Sequence, residues 1–82
     1  MTSDRRTTYR MDAFKLGLIR PADGEPIDCL VWNRTALGLM LEVEPEAEVP
    51  PLFRIVVESL RIDRGCRIRW RQGRKLGVSY VD

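Results

Sequence analysis

Apolar residues in this chain recur at every second position, in short runs separated by turn signals, and this pattern restricts the fold more than any other feature. A two-residue repeat places side chains on one face of an extended strand. A helix needs a 3.6-residue repeat sustained between caps, and no segment here has one. Six strands can be drawn. In the first, Phe14, Leu16 and Leu18 share a parity, and Pro21-Ala22-Asp23-Gly24 then turns the chain into a hairpin, with Gly24 available for positive φ. The second runs from about Ile27 to Asn33, with Ile27, Cys29 and Val31 on one face; the third runs from Leu39 to Glu44, with Leu39, Leu41 and Val43 together. The fourth, about Leu52 to Ser59, buries Phe53, Ile55 and Val57. The fifth, Arg64 to Arg71, sets Cys66, Ile68 and Trp70 against Arg67, Arg69 and Arg71. Gln72-Gly73 turns into the sixth, Lys75 to Val81, with Leu76, Val78 and Tyr80 aligned.

Six short strands would leave edges that invite aggregation, so a small antiparallel barrel is the expected all-β architecture. With 82 residues there is material for one core. Residues 1–12 carry neither apolar period and read as a flexible arm ahead of a barrel domain spanning 13–82. Pro45 to Pro51, with three prolines and two glutamates, reads as a solvated loop. Trp70 and Tyr80 fall on core parity and read as barrel filling.

Several chemistries are argued against by what the chain lacks. It has no histidine, which removes the usual general base and most zinc-site designs. Cys29 and Cys66 are too few for an all-cysteine zinc site or a disulfide framework, and both fall on core parities. No nucleophile, base and oxyanion arrangement can be assembled, so the expectation is a binding protein rather than an enzyme, with neither metal nor cofactor. No apolar run approaches the roughly 20 residues that a bilayer span requires, and Met1 to Arg10 lacks the apolar core of an export signal. The chain reads as cytoplasmic, with no membrane insertion.

The formal charge of +2 conceals segregation: residues 1–20 carry +3, residues 21–50 carry −6 and residues 51–82 carry +5. Twelve of the fourteen cations are Arg, whose planar fork grips phosphate or a guanine edge and also stacks on a base. An anionic, planar ligand fits this composition.

Two motifs give that ligand a place. Arg6-Thr7-Thr8-Tyr9-Arg10 in the arm has the spacing RxxxR, and Asn33-Arg34-Thr35-Ala36-Leu37-Gly38 after the second strand has the spacing NxTxxG. A second RxxxR occurs at Arg67 and Arg71, so order rather than spacing carries the weight: arm pair, hairpin, polar bend, then four more strands. In that order the chain resembles the PilZ domain, whose signatures are RxxxR followed by (D/N)xSxxG. The ending Cys66 to Tyr80 is similar to the last hairpin of small bacterial PilZ proteins. The resemblance covers almost the whole chain and implies a six-stranded, Greek-key-like antiparallel barrel that binds the bacterial second messenger cyclic di-GMP. It also implies a small standalone adaptor with a downstream protein partner.

The expected ligand contacts are Arg6 and Arg10, whose separation of four places both guanidinium groups on one side of the arm, with Arg5 auxiliary. Asn33 can cap the bend as an Asx-turn or present its amide to a guanine edge; the resemblance implies the latter. Thr35 stands where the family has serine, keeping the hydroxyl and adding a methyl. Gly38 is read as a residue whose φ a Cβ would penalise, or whose backbone a ligand approaches closely. Trp32, with outward parity, is a candidate stacking plane. Two other readings are a PilZ-like scaffold that has lost its ligand and acts through protein contacts, and a small-barrel nucleic-acid binder using Arg67, Arg69, Arg71, Arg74 and Lys75 as a phosphate track. The acidic central segment argues against the latter.

Overall fold

A computed structural model describes residues 14–82. The expected arm, 1–12, with Arg5, Arg6 and Arg10, lies outside the described residues. The strands are β1 (Lys15–Arg20), β2 (Ile27–Arg34), β3 (Gly38–Glu42), β4 (Leu52–Val57), β5 (Ile62–Gln72) and β6 (Lys75–Tyr80), with a 3-10 turn, η1, at Glu58–Leu60. They close into a barrel in the order β1-β2-β3-β6-β5-β4, and each neighbouring pair is antiparallel. β4 lies beside β1 and β3 beside β6, so each three-strand meander is completed by a strand of the other, which is Greek-key topology. No helix among the described residues is long and apolar enough to cross a membrane.

The inward parity of five strands follows the two-residue pattern. Cys29 and Val31 of β2, Leu39 and Leu41 of β3, Phe53, Ile55 and Val57 of β4, Ile62 and Cys66 of β5, and Leu76 and Val78 of β6 are all buried, joined by Val43. Ile27, Ile68 and Tyr80, partly buried, pack against this core. Both cysteines are free thiols within it. Burial pushes Cys29 up to about 12, helped by Asp28, and burial likewise raises Cys66 to about 11.

The first strand inverts its expected face. Ile19 is fully buried, whereas Leu16 is 73% exposed, so Gly17 and Ile19 point inward and Phe14, Leu16 and Leu18 do not fill the core. Gly17 explains the inversion. A Cβ there would lie 3.1 Å from the Cys29 Sγ, 3.2 Å from a Val31 methyl and 3.3 Å from a Val57 methyl, so the neighbouring strands already occupy the space of its missing side chain.

A bulge corrects a further expectation, and a second bulge occurs in β2. In β5, Ile68 pairs with Val78 but Trp70 pairs with Gly77, which leaves Arg69 as the extra residue and turns Trp70 outward, 45% exposed. Trp70 therefore does not fill the barrel. In β2, the register shifts between Val31 and Asn33 in the same way, around Trp32. The fourth strand ends at Val57, two residues earlier than expected, because η1 intervenes and Arg61 adopts a left-handed φ of 57°.

The β5 bulge also sends Arg71 to one end of the barrel. Its guanidinium donates to the carbonyls of Ala47 (2.9 Å), Gly73 (3.0 Å) and Pro45 (3.4 Å), holding the proline-rich crossover between β3 and β4. At Gly73, φ is +59° and Gln72 pairs with Lys75, which makes the last hairpin a two-residue turn with glycine at its first central position. Asp82 accepts the Gly65 N–H at 3.0 Å and pairs with Arg54 (3.5 Å) and Arg64 (3.6 Å), while the Arg64 guanidinium lies 3.9 Å from the Tyr80 ring centroid.

Candidate functional site

The bend after β2 is built from its own side chains. Thr35 accepts the N–H groups of Leu37 (3.1 Å) and Gly38 (3.2 Å) on its Oγ1, while its own N–H donates to the Gly38 carbonyl at 2.9 Å. The hydroxyl thus holds the turn. Accepting these two bonds leaves the hydroxyl its single proton for a further acceptor. Asn33, released from capping the bend, is exposed, and its amide makes no hydrogen bond to another described residue.

Gly38 serves a different end from the one expected. It is not in the positive-φ region; instead a Cβ there would overlap the Val78 carbonyl oxygen and lie 2.8 Å from the Ser79 Cα. The glycine lets β3 approach its ladder neighbour β6 closely, beside the Tyr80 N–H that donates to the Leu37 carbonyl at 2.9 Å. This packing role does not depend on a ligand.

The registers then carry the bend onto the outer wall of the barrel. Asn33 pairs with Met40, Met40 with Gly77, and Gly77 with Trp70, so these four form one row across β2, β3, β6 and β5. The adjacent row runs Gly38, Ser79, Arg67. A Cβ on Gly77 would fall inside the Trp70 indole, so the ring lies flat against the strand. Asn33, Thr35, Arg69, Trp70 and Ser79 line a shallow cavity of about 230 Å³ at this place. The cavity combines an exposed amide, a hydroxyl, a guanidinium, a second hydroxyl and an aromatic ring, a set able to bind a planar polar ring carrying negative charge.

Of the residues expected from sequence, Asn33, Thr35 and Gly38 converge here. Trp32 does not line this cavity: its indole N–H donates to Glu42 at 2.7 Å and its ring lies 5.2 Å from that of Phe14, centroid to centroid. Arg5, Arg6 and Arg10 lie outside the described residues. Sequence reasoning placed Trp70 inside the barrel, named Arg69 only in the alternative phosphate track and did not single out Ser79. Trp70 could have been found by counting back from the Gln72-Gly73 turn, because a two-residue hairpin places it directly opposite Gly77, and an aromatic covering a glycine across a strand pair is a recurrent device. Groups of acidic and cysteine side chains able to hold a metal are not found among the described residues.

No protein family, curated protein or solved structure matches the chain.

Proposed function

We propose that this chain is a receptor for cyclic di-GMP, a cytoplasmic adaptor of the PilZ kind that binds without catalysis and signals to a protein partner. The observation that carries the reading is the outer row Asn33–Met40–Gly77–Trp70 beside the Thr35-braced bend. A guanine offers a flat face and an edge with two acceptors, O6 and N7. Trp70 supplies a plane of matching size, Asn33 and Thr35 supply donors at its margin, and Arg69 supplies positive charge for a phosphate. Arg6 and Arg10, by their spacing in the sequence, add the forks that a second phosphate or guanine edge would take. A phosphate track along β5 is less well supported, since Arg71 is committed to the carbonyls of the crossover.

The test is calorimetric titration of the intact protein with cyclic di-GMP. The expected dissociation constant is on the order of micromolar, a level that several charge-assisted bonds reach after the ordering of a short segment. Arg6→Ala, Arg10→Ala, Asn33→Ala and Trp70→Ala should each weaken binding by about tenfold or more, with the barrel still folded by circular dichroism. Absence of heat, together with no rise in melting temperature at millimolar ligand, refutes the receptor reading and leaves the ligand-free scaffold.

A further inference from the structure

The inverted face of β1 leaves an apolar stripe on the side of the barrel opposite the candidate ligand site, since β1 and β6 are three strands apart in a ring of six. Leu16 and Leu18 face outward, with Leu30 beside Leu16 on β2 and Val56 beside Leu18 on β4, and Phe14 extends the stripe at one end. β1 pairs with β4 only from Leu18 to Arg20, so the first half of β1 diverges from η1 and opens a cleft of about 660 Å³.

The cleft is flanked by carboxylates. Asp28 stands on its β2 side and Glu58 on its η1 side, and neither has an ion-pair partner among the described residues, whereas Asp63 and Asp82 nearby are paired with Arg54. Lys15, at the Phe14 end, is the one cation among the described residues of the lining. A chain with a net positive charge thus presents an apolar stripe bordered on both sides by carboxylates.

We propose that this face docks a basic amphipathic helix of a partner protein. Strand addition is disfavoured because the unpaired edge is only Lys15–Gly17, too short for a ladder. Alternate strand residues are spaced about 6.7 Å apart and helix residues i and i+4 about 6 Å, so apolar anchors at i, i+4 and i+8, about 12 Å end to end, fall along Phe14, Leu16 and Leu18, about 13 Å end to end. Lysines or arginines bordering that helical stripe meet Asp28 on one side and Glu58 on the other. The face would give an adaptor a partner surface separate from its ligand surface.

Two synthetic 18-residue helical peptides test this, each with leucines at i, i+4, i+8 and i+11, one bordered by lysines and the other by glutamates. Titrated into the ¹⁵N-labelled protein, the lysine peptide should shift the amides of β1, Asp28, Val56 and Glu58, and the glutamate peptide should not. Leu16→Asp, at an exposed position, should abolish those shifts, while Leu37→Asp, equally exposed on the other face, should leave them intact. The double variant Asp28→Lys, Glu58→Lys should weaken the lysine peptide about tenfold and admit the glutamate peptide. Shifts mapping elsewhere, equal binding of both peptides, or binding that survives Leu16→Asp overturns the proposal. So does concentration-dependent dimerisation that Leu16→Asp abolishes, which assigns the face to a second copy, and so does preferential binding to phosphatidylcholine–phosphatidylglycerol vesicles.

Discussion

Gly77→Ala should unseat Trp70, and the size of the effect follows from the geometry. The new methyl would occupy the volume of the indole, so the ring must swing away from β6. Trp70 is 45% exposed, so a little over half of its surface is covered. For a side chain of about 250 Å², that is about 130 Å² returned to water, or about 3 kcal/mol gross at ~25 cal/mol/Å². Recovered rotamer freedom returns about 1 kcal/mol, leaving a loss of about 2 kcal/mol and a fall in melting temperature of about 10 °C. Thermal unfolding measures the first quantity. Fluorescence in a Trp32→Phe background, where Trp70 alone emits, should report the movement as a red shift. The decisive comparison is a double-mutant cycle: in a Trp70→Ala background, Gly77→Ala should be neutral or stabilising by about 0.5 kcal/mol, because alanine is otherwise the better strand residue. An equal loss with and without Trp70 would show that the glycine is needed for some other contact, and the aromatic plane of the candidate site would lose its support.

Other consequences are simpler to check. Thr35→Val, which deprives two backbone N–H groups of their acceptor, should cost about 1 kcal/mol in chemical denaturation, while Thr35→Ser should cost little. Ile19→Ala should cost about 3 kcal/mol and Leu16→Ala less than about 0.5 kcal/mol; the reverse ranking would refute the inverted face of β1. The folded thiols of Cys29 and Cys66 titrate above the ordinary value of 9.0, so above about pH 9 the unfolded chain binds fewer protons than the folded one and stability falls as pH rises. A Cys29→Ala, Cys66→Ala variant should show a shallower decline between pH 9 and 11 than the parent, and neither parent thiol should react with a disulfide reagent at pH 8 until the protein unfolds. At the acid end, the Gly65 N–H, with Arg54 and Arg64, holds Asp82 below its ordinary carboxylate value; stability from this contact is present above that value and lost as pH falls through the folded one, so Asp82→Asn should flatten the acid limb of a melting-temperature profile.

The six strands and the closed barrel were legible because most runs alternate cleanly and end at glycine or proline. The LGLI run from Leu16 was not, since both of its parities are apolar and the choice rests on a glycine whose meaning lies in Cys29, Val31 and Val57, remote in sequence. The RIRWR run misled for the opposite reason: its alternation is perfect, yet the strand bulges at Arg69, and a bulge leaves no mark in hydrophobicity. At the candidate site the polar bend was visible as a spacing, while the wall beside it was not, because Trp70, Arg69 and Ser79 reach Asn33 only through three strand registers. Gly38 was expected to need a turn conformation or to let a ligand approach its backbone; the first does not hold, and what its missing side chain permits is the close approach of β3 to its ladder neighbour β6.

The crossover held by Arg71 has a topological consequence. Each meander is contiguous in the chain, β1 to β3 and then β4 to β6, and within the described chain only the stretch between Glu42 and Leu52 joins them. Cutting there severs no hairpin and removes no ladder bond. Two co-expressed fragments could therefore reassemble across the β1:β4 and β3:β6 seams, and new ends opened at Glu46 with the old ones linked would give a circular permutant with the same six-stranded wall.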